Sequence, residues 1–201
     1  MAKIIGIDLA GSPRRETGFC VLEEDRIRTK VLKEDEEIIG STVEEKPELT
    51  AIDAPLSLPK GRCCLRDDCP CRGRGHLRNC DRDLIKLKIR FFPLTLGPMR
   101  SLTQRGMMMK KVLEQRGLTV VEVYPGGAQD IWGIPRKQKG VKLLRYNLKQ
   151  MGVVGIEEKS THHELDAVTC ALVGKLYLDG NFILLGDPEE GQIVMPRGNV
   201  F

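Results

Sequence analysis

The sequence predicts an α/β protein: one domain over residues 1–201, built on a mixed five-stranded sheet flanked by helices, with a cysteine-rich insertion and a C-terminal hairpin. Three observations predict it. Apolar, β-branched runs of strand length recur at 3–9, 17–22, 27–32, 49–53 and 118–124. Segments with helical spacing and capping residues fall after the third run and around the last two. Residues 60–90 follow neither pattern and concentrate Gly, Arg and Cys.

The first run, Lys3 to Leu9, is a buried strand carrying Asp8 near its end, and Ala10-Gly-Ser-Pro13 turns the chain. A strand buried on both faces is continuously apolar, and a lone buried carboxylate costs several kcal/mol, roughly, unless something pairs with it. Thr17–Leu22 and Ile27–Leu32 complete an antiparallel meander around the polar turn Glu23-Glu24-Asp25. Glu34–Glu45 is helix-compatible. Leu49–Asp53 is a fourth strand that also ends in an Asp, because Pro55 cannot continue a central strand. Asp81–Arg90 and Leu102–Arg116 are predicted helices, the second stopped by Gly117. Leu118–Tyr124 is a fifth strand carrying Glu122 and stopped by Pro125-Gly126-Gly127. A helix with Val141, Leu144, Leu148 and Met151 on one face follows. Thr161-His-His-Glu164 is a capping box opening a last long helix with Asp166 in its first turn, on the side of His162 and His163. Phe182–Leu185 and Gln192–Met195 form the hairpin.

Composition narrows the classes. Hydrophobic content of 41% and charge of 30% are those of a soluble globular protein. No apolar run approaches the roughly 20 residues of a membrane helix, and the chain enters a strand without a leader, so no membrane association and a cytoplasmic location are expected. Aromatics make up only 4%, which argues against an aromatic platform for stacking bases. The net charge of +4 is uneven: Lys60–Arg90 holds ten Lys/Arg against four Asp/Glu. A basic segment on a near-neutral body suits a polyanion, and Arg62, Arg66, Arg72, Arg74 and Arg78 are the candidate phosphate contacts.

Asp8, Asp53, Glu122 and Asp166 stand at strand ends and in one helix turn. Carboxylates so arranged hold magnesium or manganese through hard oxygen ligands. Two such ions about 3.5–4 Å apart clamp the attacking and leaving oxygens of a phosphodiester. His163 is the candidate general base, or the residue that orients a metal ligand.

The motifs Gly6-Ile-Asp-Leu-Ala-Gly11, Ile52-Asp-Ala-Pro55, Cys80-Asp-Arg-Asp-Leu84, Glu122-Val-Tyr-Pro125 and His163-Glu-Leu-Asp-Ala167 resemble, in order, the signatures of the family catalogued as domain of unknown function 429. That family is described as predicted nucleases of the ribonuclease-H-like superfamily. The resemblance implies a ribonuclease-H-like fold, nuclease activity, and metal binding by the first-strand, fourth-strand and last-helix acids, here Asp8, Asp53 and Asp166. Glu122 and His163 match family motifs without an implied role.

Cys63, Cys64, Cys69, Cys71, His76 and Cys80 fall within 18 residues. In a reducing compartment such a cluster points to metal rather than disulfides. Tetrahedral zinc takes four Cys or His ligands, and zinc would supply the folding energy this apolar-poor segment lacks. The spacing leaves open which residues are ligands, and leaves an iron–sulfur cluster or free thiols as alternatives. Cys20 and Cys170 sit in apolar runs and read as core thiols.

Two other functions fit parts of the chain. A catalytically inert nucleic-acid-binding adaptor would use the basic segment alone. The opening Ile-Asp-Leu-Ala-Gly-Ser resembles the first phosphate loop of actin-like sugar kinases, which would mean nucleotide binding and phosphotransfer. Those kinases need a second Asp-x-Gly loop and a longer, duplicated chain, whereas this sequence has Asp53-Ala-Pro. Oligomeric state is not legible in the sequence.

Overall fold

A computed structural model describes residues 2–198. The elements are β1 (Lys3–Asp8), β2 (Thr17–Glu23), β3 (Arg26–Leu32), α1 (Asp35–Glu45), β4 (Leu49–Asp53), α2 (Asn79–Lys86), α3 (Gly97–Gln115), β5 (Val120–Val123), α4 (Pro125–Ile131), α5 (Val141–Gln150), α6 (His162–Leu178), β6 (Phe182–Asp187) and β7 (Gly191–Pro196).

The sheet order is β3-β2-β1-β4-β5-β7-β6. The first three strands are antiparallel, β4 lies parallel to β1, and β5 parallel to β4. The sheet is therefore mixed, as the pattern of runs predicts. The sheet has seven strands because the hairpin β6–β7 is not a separate appendage: β7 pairs in parallel with β5. That pairing covers an edge that β5 would otherwise leave open.

Period-2 alternation decides which face each strand residue meets. Ile5, Ile7 and Ile52 pack against Ile38 of α1 and Met109 and Leu113 of α3. Ile4, Leu49 and Ala51 pack under α6, against Val168 and Ala171. Asp8 has the parity of Ile4, and Asp53 that of Leu49 and Ala51, so both acids emerge on the α6 side. Burying Ile4, Ile5, Ile7 and Leu9, at about 1.5–3 kcal/mol each, outweighs the cost of seating one carboxylate in the strand.

Two glycines set the spacing. A Cβ at Gly6 would collide with the Ala167 carbonyl, and one at Gly18 with that of His163. Only glycine lets the backbone of α6 rest directly on β1 and β2. The capping box expected at Thr161 forms: Thr161 Oγ1 accepts the Glu164 N–H at 3.2 Å, and Glu164 Oε2 accepts the Thr161 N–H at 2.8 Å. It fixes the turn bearing His163 and Asp166.

One helix lies where the sequence suggested a stop. Pro125 opens α4, because proline at the first helical position lacks an N–H that would be unpaired anyway. No helix among the described residues is long and apolar enough to cross a membrane.

Candidate active site

Asp8 and Asp53 are register partners at the C-terminal ends of the adjacent parallel strands β1 and β4. Asp166 comes down onto them from the start of the second turn of α6, one turn later than the sequence suggests. His163 Nδ1 lies 2.6 Å from Asp8 Oδ2. Lys137 Nζ lies 2.7 Å from Asp166 Oδ2 and 4.0 Å from Asp8 Oδ2. Gln129 Nε2 donates to Asp166 Oδ1 at 2.8 Å and to Thr169 Oγ1 at 3.1 Å.

The electrostatics follow from crowding. Burial, then the charges of Asp8 and Asp166, hold the Asp53 carboxyl well above the usual carboxylate range. Burial and Asp8 also raise Asp166, against the pull of Lys137 and the Gln129 amide. For Lys137, burial acts to lower the ammonium, but Asp8 and Asp166 outweigh it, so the charge stays. Fully ionised, the three acids would carry more negative charge than one lysine offsets, which is why Asp53 and Asp166 hold their protons more tightly. Hard oxygen donors are the ligand type that magnesium and manganese take, although among the described residues only a group of cysteines has its ligand atoms all within 4.8 Å of one another.

Lys137 and Gln129 were not anticipated from sequence. Lys137 sits on a 3₁₀ turn, Lys137–Lys139, within the basic run Arg136-Lys-Gln-Lys139. That run was the available signal. Gln129 belongs to α4, whose helical character the Pro-Gly-Gly sequence obscured.

Glu122 keeps different company from the three aspartates. It pairs in register with Ile52, not Asp53, and so has the opposite facing. Arg78 grips it with Nη1 at 2.7 Å from Oε2 and Nη2 at 2.8 Å from Oε1, and the Leu56 N–H donates to it at 2.7 Å. Arg78 also grips Asp81, through Nε at 3.3 Å and Nη2 at 3.0 Å. This buried triad holds β5, α2 and the loop after β4 together. The Cys80–Leu84 motif is structural in the same sense, since Asp83 Oδ2 accepts the Gly186 N–H of β6.

The basic segment divides as well. Arg66, Arg72 and Arg74 are exposed. Arg78, at 2% exposure, is committed to Glu122 and Asp81. Arg62 is also buried, donating to the carbonyls of Cys64 and Gly75. Of the six soft ligands, Cys63, Cys64, Cys69 and Cys71 converge, with sulfurs all within 4.8 Å of one another, and this group could hold a metal. His76 lies outside it, and Cys80 is buried among Leu84, Ile89 and Leu185.

A cavity of about 220 Å³ opens beside the carboxylates. Asp53, Asp166 and Lys137 line it, and so do Phe91, Phe92 and Tyr124. Phe92 is 72% exposed at the rim. Three of the chain's nine aromatic residues, Phe91, Phe92 and Tyr124, thus line this one cavity.

The family described as "Protein of unknown function (DUF429)" matches residues 6–190. The chain belongs to this DUF429 family. No curated protein matches it in sequence. Among solved structures, the DUF429 chain is similar to RuvC of Thermus thermophilus, at 15% identity, a TM-score of 0.42, and coverage of 89% of this chain and 96% of that one.

Proposed function

We propose that this DUF429 protein is a cytoplasmic nuclease that hydrolyses phosphodiester bonds of nucleic acid, with magnesium or manganese held by Asp8, Asp53 and Asp166. The observation that carries this reading is the meeting of three carboxylates, from β1, β4 and α6, beside a cavity with an aromatic rim. When bound, the divalent ions polarise the phosphate and make water a competent nucleophile near neutral pH.

The chain's own groups have distinct parts. Asp8 holds the His163 ring through Nδ1, which leaves Nε2 to take a proton from an attacking water. Gln129 fixes one oxygen of Asp166 and thereby directs the other. Lys137 offers an ammonium to a phosphate oxygen. Phe92 and its neighbours give an unpaired base a surface to stack on, and the exposed Arg66, Arg72 and Arg74 track the backbone without reading sequence. The loop thiols suit a softer ion class, zinc rather than magnesium, and enter no step of this reading.

The test is cleavage of branched, duplex, hybrid and single-stranded substrates with magnesium and with manganese. Asp8→Asn should abolish cleavage while leaving the fold intact. An Asp8→Asn protein that cuts as fast as wild type would remove these roles. Tight, salt-sensitive binding with no cleavage in either metal would favour the inert adaptor instead.

A further inference from the structure

We propose that Cys63, Cys64, Cys69 and Cys71 form a closed tetrathiolate site for one structural zinc ion, and that this ion braces the wall of the carboxylate cavity. The first part rests on distances. Cys63 Sγ and Cys69 Sγ are 3.5 Å apart, and Cys64 Sγ and Cys71 Sγ 3.8 Å. Four sulfurs about 2.3 Å from a common tetrahedral zinc have edges of about 3.8 Å by geometry alone. All four sulfurs lie within 4.8 Å of one another, as one group and not as two disulfide pairs, for which about 2.05 Å would be needed. Four thiolates fill the coordination shell and leave no position for water or substrate, so the site is structural and not catalytic.

The loop also needs such an ion. Between residues 60 and 76, Leu65 is the one buried apolar side chain. A segment with so little to bury must draw its order from elsewhere, and zinc binding supplies it. Binding as thiolates releases protons and leaves the site negatively charged. Arg62, whose Nε donates to the Cys64 carbonyl at 3.1 Å, puts a compensating charge within the loop.

The bracing runs through Asp67, which lies between the ligands Cys64 and Cys69. Arg100 of α3 grips it with Nη1 at 2.6 Å and Nη2 at 2.8 Å. Met99 and Leu102, on either side of Arg100, line the cavity. A zinc-held loop therefore holds the start of α3 against the cavity, and a loop without zinc lets go of it.

The test uses the full chain purified under reducing conditions, with zinc and cobalt as probes. One zinc per chain is expected, with neither iron nor inorganic sulfide. Cobalt should give tetrahedral ligand-field bands with sulfur-to-cobalt charge transfer. Chelation should expose four further thiols to a thiol reagent and speed tryptic cleavage at Arg72 and Arg74. Cys71→Ser should weaken zinc retention against a chelator, and the exposed His76→Ala should not. Wild-type protein that takes up no zinc, or a His76→Ala protein that loses it, overturns the site. Zinc removal that leaves tryptic cleavage unchanged within the loop and at Arg100 overturns the bracing. None of these readouts depends on nuclease activity, so they stand or fall apart from that assignment.

Discussion

Lys137 Nζ stands 2.7 Å from Asp166 Oδ2 and 4.0 Å from Asp8 Oδ2, so one ammonium is shared by acids from the first strand and the last long helix. It is the positive charge that the metal-free acids use, and a cation entering between them must compete with it. Lys137→Met should therefore tighten manganese binding roughly tenfold, the equivalent of about 1.4 kcal/mol of lost competition. It should also lower the melting temperature of the metal-free protein, because two buried carboxylates lose their partner. Calorimetric titration and thermal unfolding without metal check the two halves separately.

The raised Asp53 carboxyl makes a second expectation with a definite sign. Its folded value lies above the ordinary 3.8. The folded state thus holds this proton more tightly than the unfolded state does. The stability it contributes is full below 3.8 and is lost as pH rises through the raised folded value. Metal-free wild type should lose melting temperature relative to Asp53→Asn as pH rises across that window, and manganese should close the gap. Metal binding within the window should also release protons, seen as a binding heat that depends on the ionisation enthalpy of the buffer.

Glu122 separates a structural acid from the candidate catalytic ones. Removing one partner from a buried ion pair costs about 3–5 kcal/mol. Glu122→Ala should show a loss of that size in urea denaturation, since it leaves Arg78, at 2% exposure, with Asp81 alone and the Leu56 N–H without its acceptor. Asp8→Asn, which sits at a surplus of negative charge, should show no such loss. Equal destabilisation by the two variants would contradict the division drawn between them.

Phe92 tests the cavity. At 72% exposure, its replacement by alanine should change stability by no more than about 0.5 kcal/mol. Stacking of one base contributes about 1–3 kcal/mol. Phe92→Ala should thus weaken binding of single-stranded nucleic acid by between about 5-fold and 150-fold at fixed salt, as measured by fluorescence anisotropy.

Much of this protein was written locally. The apolar runs carrying Asp8 and Asp53 dictated two strands with an acid near the end of each, while their parallel register gave those acids one end and one facing. The Thr161–Glu164 box set where α6 begins and therefore where His163 and Asp166 fall on it. Tertiary structure decided the rest. Glu122 resembles Asp53 in sequence, a strand acid followed shortly by proline, yet register pairs it with Ile52 and turns it to Arg78. The four metal-gathering cysteines could not be sorted from His76 and Cys80 by spacing, since α2 draws Cys80 into its own apolar cluster. Lys137 reaches the acids only because α4 and the turn after it carry it there. Periodicity and caps act over a few residues and can be read from a chain in order. Which side chains meet across a sheet depends on register and helix packing between segments far apart in sequence, and only the folded chain fixes those.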